Sequence, residues 1–116
     1  MPPSALSASR AVLAALLIAC SWLAFAPNPP PAADTGWDKL NHALAFCALA
    51  LAARPSFPGA SAVRLALALL GYGVFIELVQ ARIPGRSGDP LDLLGDAAGI
   101  AAGLVLAHGW RRFSTR

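Results

Sequence analysis

Charge is scarce in this chain. Asp, Glu, Lys and Arg together make up 13% of its 116 residues, against about a quarter of an ordinary soluble domain. The shortage excludes a water-exposed globule, because a chain of this size has a large surface and too few polar side chains to cover it. Intrinsic disorder is excluded by the opposite abundance: 57% of the residues are hydrophobic and the mean hydropathy is +0.60, whereas disordered segments are poor in apolar residues. Cysteine is limited to Cys20 and Cys47. Both lie inside apolar runs with no metal-ligand spacing and read as small buried hydrophobes. A His-Glu-x-x-His box is missing, and no Ser or Cys stands with a His in a recognisable nucleophile motif.

What is abundant is apolar sequence, in four stretches over about 11–26, 40–53, 63–81 and 90–110. The first ends at Pro27-Asn28-Pro29-Pro30-Pro31, which no helix crosses. Pro55 and Pro58 close the second, and Pro84-Gly85 closes the third. The fourth begins with Pro90 near its first turn, a favoured place for proline. A bilayer core takes roughly 20 helical residues; the last two stretches reach that length, and flanking Ser, Trp and Lys residues extend the first two. The expected fold is all-α, a four-helix transmembrane bundle with short loops and a single domain spanning 1–116. Arg10, the apolar core after it and Ala24-Phe25-Ala26 also resemble a cleavable secretory signal, and Leu17-Ile18-Ala19-Cys20 resembles a lipoprotein box. The residues after Cys20 stay apolar, however, and an uncleaved first span is the preferred reading.

Lys and Arg favour the cytoplasmic side of a membrane. With both termini inside, that face carries Arg10, Arg54, Arg64, Arg111, Arg112 and Arg116, and the outer face carries Lys39, Arg82 and Arg86. The distribution predicts an N-in, C-in protein of the inner (plasma) membrane. In that topology all six acids, Asp34, Asp38, Glu77, Asp89, Asp92 and Asp96, fall on the outer side. Trp22, Trp37 and Trp110 read as interfacial belt residues, and His108 as an exposed helix-end residue.

Helical spacing groups the polar residues further. Asp38, Lys39 and His42 share a face at the start of the second stretch, Glu77 and Gln80 near the end of the third, and Asp92 and Asp96 at the start of the fourth. Gly95, Gly99 and Gly103 repeat every four residues, the small-xxx-small pattern that admits close helix packing; packing is the reading for these three, and it places the fourth helix at the bundle centre. Together Asp38, Lys39, His42, Glu77, Gln80, Arg86, Asp92 and Asp96 form a candidate polar pocket. The bland alternative is a helix start favoured by Asp38 and a snorkelling Lys39, with Glu77, Gln80 and Arg86 as a structural ion pair and hydrogen bond.

These residues carry a resemblance. Asp38-Lys39-Leu40-Asn41-His42, then Glu77-Leu78-Val79-Gln80, then Arg86, then Asp92, Asp96 and Gly99 resemble the VanZ-like family, whose pattern is Asp-Lys-x-x-His, Glu-x-x-Gln, a loop Arg and Asp-x-x-x-Asn-x-x-Gly. The resemblance covers about 37–103. Asp96 departs from it, standing where the pattern often has Asn. The family is named for a member linked to resistance to the glycopeptide teicoplanin, so the resemblance implies a multi-pass protein of the bacterial cell envelope. It does not imply resistance or a settled activity.

Three functions follow as expectations. In the first, the outer pocket binds or handles an anionic membrane lipid or a lipid-linked cell-wall precursor, with Lys39, Arg82 and Arg86 meeting phosphate. In the second, the chain is a membrane-embedded hydrolase or transferase, acid–base or metal-dependent, with His42, Glu77, Asp92 and Asp96 as candidate ligands of a divalent metal. In the third it is a non-catalytic scaffold or accessory subunit docking through its glycines. No established catalytic motif supports the second, and no cofactor is required by the first or third. Nucleic acid is not an expected partner, because the positive charges are divided between two membrane faces.

Overall fold

A computed structural model describes residues 2–28, 30–86 and 88–114. Four helices run alternately up and down: α1 (Pro3–Phe25), α2 (Asp38–Ser56), α3 (Ala62–Gln80) and α4 (Asp92–Ser114), with a short 3-10 turn at Pro31–Ala33. Helices of 19 to 23 residues measure about 30 Å at 1.5 Å per residue, the thickness of a bilayer's hydrocarbon core. Among the described residues three helices are long and apolar enough to cross a membrane: α1, α3, and α4 as far as Arg112. The fold is the expected all-α bundle, and its helices mark the chain as a membrane protein.

The helix ends follow local chemistry. Pro3 opens α1, at the position where its missing N–H costs nothing, so the helix begins eight residues before the apolar run. It ends where Pro27 follows Ala26, whose N–H closes the last turn on the Trp22 carbonyl at 2.9 Å. Helix α2 continues through Pro55 rather than stopping before it. A proline in the final turn forfeits only one bond, and arginines supply partners for the exposed carbonyls beyond it. Arg54 Nη2 donates to the Phe57 and Pro58 carbonyls at 2.9 and 3.2 Å, and Arg10 Nε donates to the Ser56 carbonyl at 3.1 Å. Ser61 caps α3 by accepting from the Arg64 N–H at 3.1 Å. Pro90 lies just outside α4, in a turn where Asp92, Leu93 and Leu94 bond back to the carbonyls three residues earlier.

Helix α2 is the least apolar of the four, bearing Lys39, Asn41, His42 and Arg54, and it occupies the centre, packing against α1, α3 and α4. The expectation placed α4 at the centre; instead the two share it as the most closely packed pair. The reason is the glycine row. A Cβ on Gly95 or Gly103 would come within 2.7 and 2.6 Å of the Lys39 and Cys47 carbonyl oxygens, and one on Gly99 would run into the backbone of Ala43. Glycine every fourth residue thus lies against backbone every fourth residue, which lets the two helices approach at a distance no other residue permits. Around this seam, Phe46, Leu49, Ala50 and Ala53 of α2 bury against Leu13, Leu65, Leu69, Ile76 and Ile100. The Tyr72 hydroxyl and Ser21 Oγ lie 2.6 Å apart, tying α3 to α1. Ile18, Trp22, Leu67, Leu78, Leu94, Val105 and Leu106 point outward, apolar surface that suits lipid rather than water.

Candidate functional site

The antiparallel order brings the end of α1, the start of α2, the end of α3 and the start of α4 to one end of the bundle. That end holds every acid in the chain. At its heart is His42, one turn into α2. Its Nδ1 is 2.7 Å from Asp96 Oδ1, and its Nε2 is 3.3 Å from Asp92 Oδ2 and 3.9 Å from Glu77 Oε1. All three acids are buried, with Glu77 7%, Asp92 4% and Asp96 0% exposed. Three helices therefore converge on one imidazole through residues that lie far apart in sequence.

Each acid has its own setting. Asp92 opens α4, where the helix N-terminus favours negative charge, and its Oδ1 is 3.4 Å from Lys39 Nζ. Lys39 also meets Asp89 at 3.3 Å and so bridges the loop to the helix. Glu77 Oε2 accepts the Asp89 backbone N–H at 2.8 Å, which anchors the loop before α4. Its Oε1 is buried without a hydrogen-bond partner, as is Asp96 Oδ2. Room for Asp96 comes from Gly73 on α3, since a Cβ there would collide with Asp96 Oδ2. Asp89 and Gly73 both support the cluster without standing in any motif. For Gly73 a signal exists, one helical turn before Glu77 on the same face; Asp89 lies in a loop, where helical spacing says nothing.

The remaining pocket residues go elsewhere. Gln80 Nε2 donates to the Ala24 carbonyl at 3.0 Å and Arg86 Nη1 to the Ala26 carbonyl at 3.2 Å. Both serve the C-terminal carbonyls of α1, which have no partner within their own helix. No Glu77–Arg86 ion pair forms among the described residues. Asp38 is exposed in the first turn of α2, outside the cluster, where it suits the helix dipole. Arg82 is exposed at the rim. Over the same end, Asp34 Oδ1 accepts from Asn41 Nδ2 and the Gly36 N–H, both at 2.8 Å, in a turn that Gly36 permits with φ 88°. The Asn41 amide and then the Gly36 N–H hold the Asp34 carboxyl below its usual range. The Leu91 N–H, and after it Lys39, do the same for Asp89.

The arrangement suits two kinds of chemistry. With Asp96 Oδ1 as the acceptor, the short contact places the proton on His42 Nδ1, and the other ring nitrogen faces Asp92 and Glu77. Proton exchange between imidazole and carboxylate is then geometrically available. Nε2, a Glu77 oxygen and an Asp92 oxygen also lie within 4.8 Å of one another, a spacing compatible with one metal ion. Asp96 falls outside that donor group and behind the ring, although its residue type made it an equal candidate. Among the described residues no Ser hydroxyl or Cys thiol bonds to His42.

No curated protein and no solved structure matches this chain. The profile of the VanZ/LLP1 family matches residues 11–111, which takes in α1 as well as the three helices whose motifs carry the resemblance. With nearly the whole bundle inside that match, the chain belongs to the VanZ/LLP1 family.

Proposed function

We propose that this chain is an inner-membrane protein of the bacterial cell envelope whose polar end binds or handles the headgroup of an anionic envelope lipid or lipid-linked cell-wall precursor. One observation carries the reading: an ionisable cluster gathered from three helices lies at one end of a membrane-spanning bundle, rimmed by Lys39, Arg82 and Arg86. Ionisable groups at membrane depth are costly and mark binding or transfer sites more often than they mark scaffolding. Arg82 has no side-chain partner among the described residues, and Arg86 uses one of its donors on Ala26. Guanidinium donors left over at headgroup level match the oxygens of a phosphate.

Orientation supports the same reading. Arg10, Arg54, Arg64, Arg111 and Arg112 lie toward the opposite end of the helices, so the positive-inside preference puts that end in the cytoplasm and the acid cluster outside. Native mass spectrometry of the detergent-purified chain tests the proposal, beside an Arg82→Ala, Arg86→Gln double variant of equal helicity. An anionic phospholipid or polyprenyl phosphate should accompany the parent protein and be lost from the variant. Identical lipids on both proteins would overturn the reading and leave the scaffold alternative.

A further inference from the structure

Three features of the His42 cluster are unexplained by hydrogen bonding or by lipid binding. Glu77 Oε1 is buried and without a partner, although an acceptor withdrawn from water normally finds a donor. It lies 3.9 Å from His42 Nε2, too far for a hydrogen bond, while Asp92 Oδ2 lies 3.3 Å from the same nitrogen. Charge is also out of balance: Glu77, Asp92 and Asp96 are three buried acids, and Lys39, the ammonium among them, is shared with the half-buried Asp89.

We propose that His42 Nε2, Glu77 Oε1 and Asp92 Oδ2 form a binding site for one divalent first-row transition ion, with Asp96 as the positioning residue for His42. The distances fit the role. Bonds of about 2.0–2.1 Å from a tetrahedral zinc to nitrogen and oxygen set the ligand atoms roughly 3.4 Å apart, and the two separations at Nε2 bracket that value. An ion at their common centre gives Glu77 Oε1 the partner it lacks. The charge excess also falls: with His42 neutral, the three buried carboxylates and Asp89 against Lys39 leave three negative charges, and one divalent ion reduces them to one.

Asp96 completes the argument from the other side of the ring. A histidine that binds metal through one nitrogen characteristically donates the other N–H to a carboxylate, which fixes the tautomer and raises ligand basicity. His42 Nδ1 and Asp96 Oδ1 at 2.7 Å are that pair. The donor set also selects among ions. An imidazole nitrogen suits zinc, copper, iron or nickel, whereas calcium and magnesium take oxygen ligands. Three protein ligands leave an open position for a water or a phosphate oxygen, but binding of the ion itself does not depend on the lipid reading.

The test uses the full chain in detergent with no lipid added, stripped by chelator, reloaded with Zn²⁺ and passed through gel filtration before elemental analysis. One zinc per chain is expected, undisplaced by excess Mg²⁺ or Ca²⁺. The Glu77→Gln, Asp92→Asn double variant and His42→Gln should fall to background while keeping parental helicity by circular dichroism. If His42→Gln does not fold, the isosteric carboxamide variant carries the test. Asp96→Asn should still take one zinc at saturation but bind it about 10–100-fold more weakly. Cobalt substitution should show a nitrogen ligand in the optical spectrum that disappears with His42. A parent protein that retains no zinc, or a folded double variant that retains as much as the parent, would overturn the site. Because these variants leave Arg82 and Arg86 intact and the readout is zinc content, neither result bears on headgroup binding.

Discussion

The two ends of the bundle solve the same problem in opposite ways. At the arginine end, side chains bond to backbone: Arg54 gathers the carbonyls after α2, Arg10 reaches the Ser56 carbonyl and lies 5.7 Å over the Phe57 ring. These contacts complete helix ends, and water or a lipid headgroup can replace them. At the acid end, side chains bond to side chains between α2 and α4, with Glu77 of α3 set against the same imidazole. There His42, Glu77, Asp92 and Asp96 are withdrawn from water together, so a lost partner among them has no replacement at hand. The lesson is that helix-end chemistry and cluster chemistry should respond very differently to the loss of a single residue.

The widest separation should come from His42→Leu, which leaves three buried acids facing an apolar side chain. Removing one partner of a buried charge network costs about 3–5 kcal/mol, so unfolding in mixed detergent should shift by that much relative to the parent. A loss no greater than at the arginine end would erase the contrast. Next in size is Gly99→Ala, whose methyl would press on the Ala43 backbone. Overpacking typically costs about 1–3 kcal/mol, and the same unfolding assay should show Gly71→Ala near neutral, because nothing lies within 4 Å of a Cβ there. Equal effects at the two glycines would mean that the α2–α4 seam is looser than described. The smallest change belongs to Arg54→Met at the other end, about 1 kcal/mol for carbonyls that water can reach, read as a modest fall in thermal midpoint with helicity intact.

Much of this architecture was legible beforehand, and the misses have a common cause. Composition and apolar runs were enough for an all-α membrane bundle, because a chain so short of charge has few other ways to satisfy its backbone. The boundaries around Pro55 and Pro90 were less legible: whether a proline ends a helix depends on who takes the orphaned carbonyls, and Arg10 and Arg54 do so from different parts of the chain. Spacing grouped Glu77 with Gln80 correctly on one helix, yet Glu77 turns to the loop before α4 and Gln80 to α1. Periodicity reports which residues share a face; it cannot report which neighbour that face meets. Asp38 illustrates the same limit, being one helical turn from His42 in sequence but outside its cluster in space. The glycine repeat was read as a packing surface, while its counterpart, the backbone at Lys39, Ala43 and Cys47, has no side-chain signature that a sequence could display.

The glycine seam also bears on how the chain is made. Helix α2 leaves the ribosome long before α4, yet among the described helices it is the one too polar to be counted as a stand-alone membrane span. Its imidazole and ammonium find their carboxylates on α4 and the loop before it, and its backbone finds its closest neighbour on α4. Lipid alone is a poor resting place for such a segment. Insertion of the second helix therefore stays provisional until the last one has been synthesised, and truncation before α4 should release α2 from the membrane rather than leave a three-helix remnant.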